Sequence, residues 1–186
     1  MSGQTPLLGR AILGLLLQQP LSGYDIRRIF TQTPMATFSD SPGAIYPALK
    51  RLEADGLVRG RTERSTGLRQ RRLFRLTPAG RAKFEHWLTA PVTHDDVVRD
   101  TEELMLRFSF MDIGVGEAAS VRFLRALQHE LQVYIPELNR YLGSHGPEMP
   151  RSGRLALESG IRSYEALLQW TRHALTTYAK HQKGGK

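Results

Sequence analysis

Ser41-Pro42-Gly43-Ala44-Ile45-Tyr46-Pro47-Ala48-Leu49-Lys50-Arg51-Leu52-Glu53-Ala54-Asp55-Gly56-Leu57-Val58 is the stretch on which the reading of this chain turns. Serine followed by proline starts a helix well, because proline at the first helical position gives up an N–H that would have no partner there. Ile45, Leu49 and Leu52 then recur at i, i+4 and i+7, one face of a helix, and Asp55-Gly56 ends it with a glycine suited to a left-handed cap. Pro47 falls near the first turn, where few hydrogen bonds are lost. After Gly56 the period shortens to that of strands. Leu57-Val58 opens one strand, Leu73–Leu76 closes another, and Ser65-Thr66-Gly67 between them has the chemistry of a hairpin turn.

Outward from this core, Leu8, Ile12, Leu15 and Leu16 form a helical stripe that stops before Pro20. The apolar run Leu7 to Leu17 superficially resembles a signal-peptide core. It contains Arg10, follows no charged n-region and precedes no cleavage site, so a buried helix is expected. Ser22 with Asp25 reads as a capping-box variant opening a second helix, with Tyr24, Ile26, Ile29 and Phe30 on its apolar side. Downstream, Thr77-Pro78 starts a helix that runs through Phe84, Trp87 and Leu88 to Pro91. Three helices, a hairpin and a helix make a winged helix. The fold class expected is mainly α with a small β-hairpin: an N-terminal winged helix-turn-helix over 1–90 and a helical domain over 91–186.

In that second half, Ala90 to Asp100 reads as a linker and Leu104, Phe108 and Met111 as one short helix. Glu117 to Leu142 reads as a long helix with Pro136 predicting a kink or break near Val133, and Gly143 to Gly153 as a loop. The tail from Lys180 to Lys186 is expected to fray. Leu157, Ile161, Tyr164, Leu168, Thr171, Leu175 and Tyr178 are spaced by alternate fours and threes, a heptad seam. Packing on the preceding helix and on a second subunit are both expected of it. Leu157, Ile161, Tyr164, Leu168 and Leu175 are the candidate homodimer contacts.

Charge sharpens the division. Residues 1–90 hold fourteen Lys and Arg against six Asp and Glu, and residues 91–186 hold twelve against twelve, so all of the net +8 belongs to the first half. Seven arginines and a single acid, Glu63, lie between Leu57 and Leu76. Arginine forks bind phosphate and release condensed counterions, so a polyanion partner is indicated. A solvated basic face is the bland alternative, disfavoured by alternation of the arginines with apolar residues. In helix-turn-helix modules the second helix enters the major groove, where phosphate contacts position and base contacts specify. The candidate DNA-binding residues are therefore Ser41, Gly43, Tyr46, Lys50 and Arg51 on that helix, with Arg61, Arg64, Arg69, Arg71 and Arg72 on the wing. For Tyr46 a helix-packing role is nearly as good a reading.

Nothing points to an enzyme. The six histidines are scattered without ligand spacing, and there is no phosphate loop or nucleophile motif, so no cofactor or metal is expected. With no cysteine, disulfides are excluded and a reducing cytoplasm fits.

Three segments, Ser22-Gly23-Tyr24-Asp25-Ile26, Gly43 through Val58, and Arg71-Arg72-Leu73-Phe74-Arg75-Leu76-Thr77-Pro78-Ala79-Gly80, together resemble the PadR family of bacterial transcriptional regulators. The resemblance covers most of residues 7–90. The C-terminal half resembles the longer-tailed subgroup in length and helical character alone. It implies a winged-helix DNA-binding domain, a helical dimerisation domain and, in many members, repression of a neighbouring operon relieved by a small aromatic or drug-like effector. Arg72-Leu73-Phe74 stands where the family commonly has a basic residue and two tyrosines, which removes two hydroxyls from the wing. The expected function is a sequence-specific, ligand-responsive repressor acting as a homodimer on double-stranded DNA in the bacterial cytoplasm. A protein-interaction winged helix and a nonspecific architectural DNA binder are the alternatives. Trp87, Phe108, Met111 and Trp170 are the candidate lining of an effector pocket between the domains, against the plainer reading that they fill the core.

Overall fold

The computed structural model describes residues 5–33, 41–64 and 70–184. Their contacts divide the chain into two compact units, residues 1–89 with 113–115, and residues 90–112 with 116–186.

The first unit is built on α1 (Leu7–Gln18), β1 (Leu21–Ser22), α2 (Gly23–Gln32), α3 (Pro42–Ala54), β2 (Val58–Arg64), β3 (Gln70–Leu76) and α4 (Pro78–Leu88). The local signals act as read. Ser22 Oγ accepts from the Asp25 N–H while the Asp25 carboxylate accepts from the Ser22 N–H, closing the capping box of α2. Gly56, at φ +70°, ends α3 in a Schellman motif: Leu57 N–H bonds Leu52 O and Gly56 N–H bonds Glu53 O. Thr77 caps α4 by accepting from Gly80 N–H, and its own hydroxyl donates to Gly56 O at 2.7 Å.

The sheet is antiparallel in the order β1-β3-β2. The two-residue strand β1, which pairs Leu21 with Phe74 and Ser22 with Leu73, was not expected; it is too short to show a period. Ile12, Leu13, Ile26, Phe30, Ile45, Leu49, Leu52, Val58, Phe74, Phe84 and Leu88 fill the core. Tyr24, expected on the apolar side of α2, is instead 61% exposed.

The second unit departs from the sequence reading in several places. The presumed linker contains α5 (His94–Arg99), started by a capping box between Thr93 and Asp96 and anchored by buried Val97. The single short helix is two, α6 (Thr101–Ser109) and α7 (Met111–Val115), interrupted at Phe110, and the last three residues of α7 group with the first unit. The long helix α8 (Glu117–His145) runs unbroken through Pro136. Both Gln132, whose carbonyl loses its partner, and Pro136 lie on the solvent side, while Leu127, Leu131 and Ile135 hold the inner face. The expected loop reduces to a 3-10 turn (Gly146–Glu148) before α9 (Arg151–Gly184), which also takes in most of the tail expected to fray. No helix among the described residues is long and apolar enough to cross a membrane.

Candidate nucleic-acid interface

Helix α3 buries Ile45, Ala48, Leu49 and Leu52 and presents Gly43, Tyr46, Pro47, Lys50 and Arg51 to solvent. The outward face expected to meet DNA is therefore open. Ser41 has a second role there: its Oγ accepts the Gly43 N–H at 3.2 Å and caps the helix. Tyr46 is 52% exposed, and its ring lies over Gly23, where a Cβ would fall 2.6 Å from the ring. The glycine is what lets the tyrosine lie across the start of α2 with its edge still accessible.

On the wing, strand pairing aligns Arg59 with Arg75 and Arg61 with Leu73. Side chains two apart on a strand share a face. Arg59, Arg61 and Arg75 are accordingly exposed together on the side away from buried Val58 and Phe74. Arg59 and Arg75 were missed as candidates; the register that joins them to Arg61 is a property of the folded hairpin. Arg75 Nη2 also pairs with Glu63 at 3.3 Å. Arg64 ends β2 opposite Gln70, and Arg69 lies outside the described residues.

Arg71 and Arg72 are differently engaged. Arg71 Nη2 lies 2.9 and 2.8 Å from the two oxygens of Asp25 and 3.4 Å from Ser22 Oγ. Arg72 Nη2 lies 2.8 and 2.6 Å from the two oxygens of Glu53, whose Oε1 also accepts the Gly60 N–H at 2.9 Å. Burial pulls the Asp25 carboxyl upward, but hydrogen bonds from the Ser22 side chain and backbone, together with Arg71, outweigh it and hold its pKa below the usual value.

The residues expected at a subunit interface are divided by α9. Ile161 is 4% exposed within its own protomer, buried with Thr171 and Ala174, while Leu157, Tyr164, Leu168 and Leu175 are half-buried. Tyr178 closes the seam with a polar contact, donating to both oxygens of Asp112, which also accepts from Ser120 Oγ. Burial and the Asp112 contact push its hydroxyl up to about 12. Of the candidate pocket residues, Phe108 stacks on Phe123 and meets Trp170 edge-on, and Met111 is buried, all in the second unit. Trp87 belongs to the first, tilted against Phe84 with the Arg10 guanidinium 5.1 Å above its ring.

Residues 12–86 match the model of the transcriptional regulator PadR-like family. The chain belongs to the PadR-like family of transcriptional regulators. Among curated proteins, the negative transcriptional regulator PadR of Bacillus subtilis is 33% identical over 122 residues, 66% of this chain and 66% of that protein. Similar solved structures include Bacillus subtilis PadR in complex with operator DNA, at 23% identity over 94% of this chain and 99% of that one with a TM-score of 0.46. The same protein with p-coumaric acid matches at 23% identity over the same shares with a TM-score of 0.41. The activity of this PadR-like protein is transcriptional regulation rather than catalysis.

Proposed function

We propose that this PadR-like regulator is a repressor that binds an inverted-repeat operator as a homodimer and releases it when a small aromatic or drug-like effector binds. One observation carries the reading: the exposed face of α3, with Lys50 and Arg51, and the outer face of the hairpin, with Arg59, Arg61 and Arg75, are cationic in the same unit. The helix supplies groups for base edges and the hairpin supplies charge for phosphate. The negative sign of regulation rests on the Bacillus subtilis relative, itself named a negative regulator. A second copy would cover Leu157, Tyr164, Leu168 and Leu175 on α9, and two-fold symmetry would then set two α3 helices about 34 Å apart on one face of DNA. The effector would engage Phe108 and Trp170, whose edge-to-face rings lie at 5.3 Å with Trp170 36% exposed.

The test is binding of the intact protein to fragments of its source genome and to random duplex at two salt concentrations. A specific regulator holds its best site roughly 10³-fold or more above random DNA. Equal affinity for both points to an architectural binder, and binding to neither points to a protein-interaction module. Titrating the operator complex with aromatic acids and cationic drugs while following tryptophan fluorescence tests the effector. Quenching without operator release contradicts the ligand-responsive part.

A further inference from the structure

Arg71 and Arg72 are neighbours on β3, so their side chains leave opposite faces of the sheet and cannot both face one phosphate backbone. Each instead finds a carboxylate on a different helix of the helix-turn-helix. Arg71 reaches Asp25 in the first turn of α2, and Arg72 reaches Glu53 in the last turn of α3. Glu53 does more than pair a charge. Its Oε1 accepts both the Arg72 guanidinium and the Gly60 N–H, so one carboxylate on α3 holds both strands of the hairpin. Glycine at position 60 leaves room for this arrangement, since a Cβ there would lie 2.5 Å from Arg72 Nε and 3.0 Å from Glu53 Oε1 and would push those side-chain ends aside. The carboxylates are the more buried partners, 16% exposed for Asp25 and 29% for Glu53, against 47% and 56% for the arginines. A phosphate would have to share each guanidinium with a carboxylate that already holds its Nη2 and offsets its charge.

We propose that Glu53 and Asp25 are positioning residues for DNA binding, which fix the wing to α3 and α2 through Arg72 and Arg71, and that these two arginines serve as a clasp and not as phosphate contacts. This rests on the proposed reading of the first unit as a DNA-binding surface. The phosphate-facing charge of the wing is then carried by Arg59 and Arg61, with Arg75 held more loosely by its exposed partner Glu63, at 3.3 Å, than Arg71 and Arg72 are by theirs. The clasp fixes the angle at which α3 and the hairpin meet DNA together, so it governs discrimination between sequences more than electrostatic attraction.

Two kinds of role make opposite forecasts for the same variants. Affinity of Glu53→Gln, Arg72→Gln and the double variant is measured for the best genomic fragment and for random duplex across a salt series. If the pair is a clasp, each single variant weakens the specific site by roughly three- to thirtyfold, and the double variant is little worse than either single. The slope of log affinity against log salt then stays at the wild-type value, and random duplex is bound nearly as before. If Arg72 contacts phosphate, Arg72→Gln lowers that slope by about one, and Glu53→Gln, by removing a negative charge, tightens binding to every duplex. That result overturns the proposal, as does unchanged site preference in all three variants. Should the Glu53 variants unfold, the same cycle with Asp25→Asn and Arg71→Gln reads the second half of the clasp. Thermal unfolding of the four Glu53 and Arg72 forms separates this proposal from the one beneath it. Non-additive midpoints show the coupling even if the wild-type protein prefers no DNA site, and additive midpoints overturn the clasp whatever the DNA result.

Discussion

Replacing Gly80 by alanine puts two physical effects in opposition. Gly80 lies in the first turn of α4, where helix propensity alone favours alanine by at most about 1 kcal/mol. Yet an added Cβ would stand 2.0 Å from the carbonyl oxygen of Leu57, 2.8 Å from its carbonyl carbon and 3.1 Å from its Cα. All three are backbone atoms held by the Schellman end of α3, so no rotamer change relieves the clash. The start of α4 has to back away by more than 1 Å by the measure of an ordinary carbon–oxygen contact of about 3.5 Å. That lengthens two bonds already at 3.1 Å, from the Thr77 N–H and from Thr77 Oγ1 to Leu57 O. Overpacking costs about 1–3 kcal/mol, and weakening those bonds costs about 1 kcal/mol more. After subtracting the propensity gain, Gly80→Ala should destabilise the protein by about 1–3 kcal/mol, or roughly 2–12 °C in the unfolding midpoint for a chain of this size. Urea and thermal unfolding followed by circular dichroism read the change. A midpoint equal to or above that of the wild type would show that α4 does not rest on Leu57 as described.

Lys50→Ala should change preference among related operators by about 1–3 kcal/mol at one base pair while leaving unfolding unaffected, because Lys50 is exposed and caps nothing; competition binding with single-base operator variants checks this, and equal weakening on all of them would reduce Lys50 to a positioning contact. On α9, Leu168→Glu should give folded monomers by light scattering. Ile161→Glu should instead lose helical signal, since 4% exposure leaves it nothing to offer a partner and a charge placed there is cut off from water. Asp25 has a folded-state pKa below its unfolded one, so its contribution is complete above the ordinary carboxylate pKa and is lost as pH falls through the depressed value. Asp25→Asn should therefore lower stability at pH 7 and flatten the acid side of the stability–pH curve, which unfolding midpoints from pH 2 to 7 will show.

Signals confined to one turn of chain were legible in the residues themselves. Ser22 with Asp25, Ser41-Pro42, Asp55-Gly56 and Thr77-Pro78 each place a donor, an acceptor or a permitted dihedral within a few positions of where it acts, and all four punctuate the folded chain where expected. Thr93 with Asp96 carries the same capping signal as Ser22 with Asp25, inside the stretch from Ala90 to Asp100 that reads as a linker. The family's motifs were legible for the same reason, being runs of contiguous residues. Tertiary structure decided what depends on partners remote in sequence. Arg72 meets Glu53 19 residues away, and Arg71 meets Asp25 46 residues away. A tally of positive charge counts those arginines as available to phosphate, whereas the fold supplies each with a carboxylate. Pro136 is tolerated because the inner face of α8 is buried and the proline faces out, and the α9 seam turns Ile161 inward because α8 is there to receive it. Local chemistry determines where helices and turns begin and end, while the choice of partner for a charge or an apolar face waits on which surfaces folding brings together.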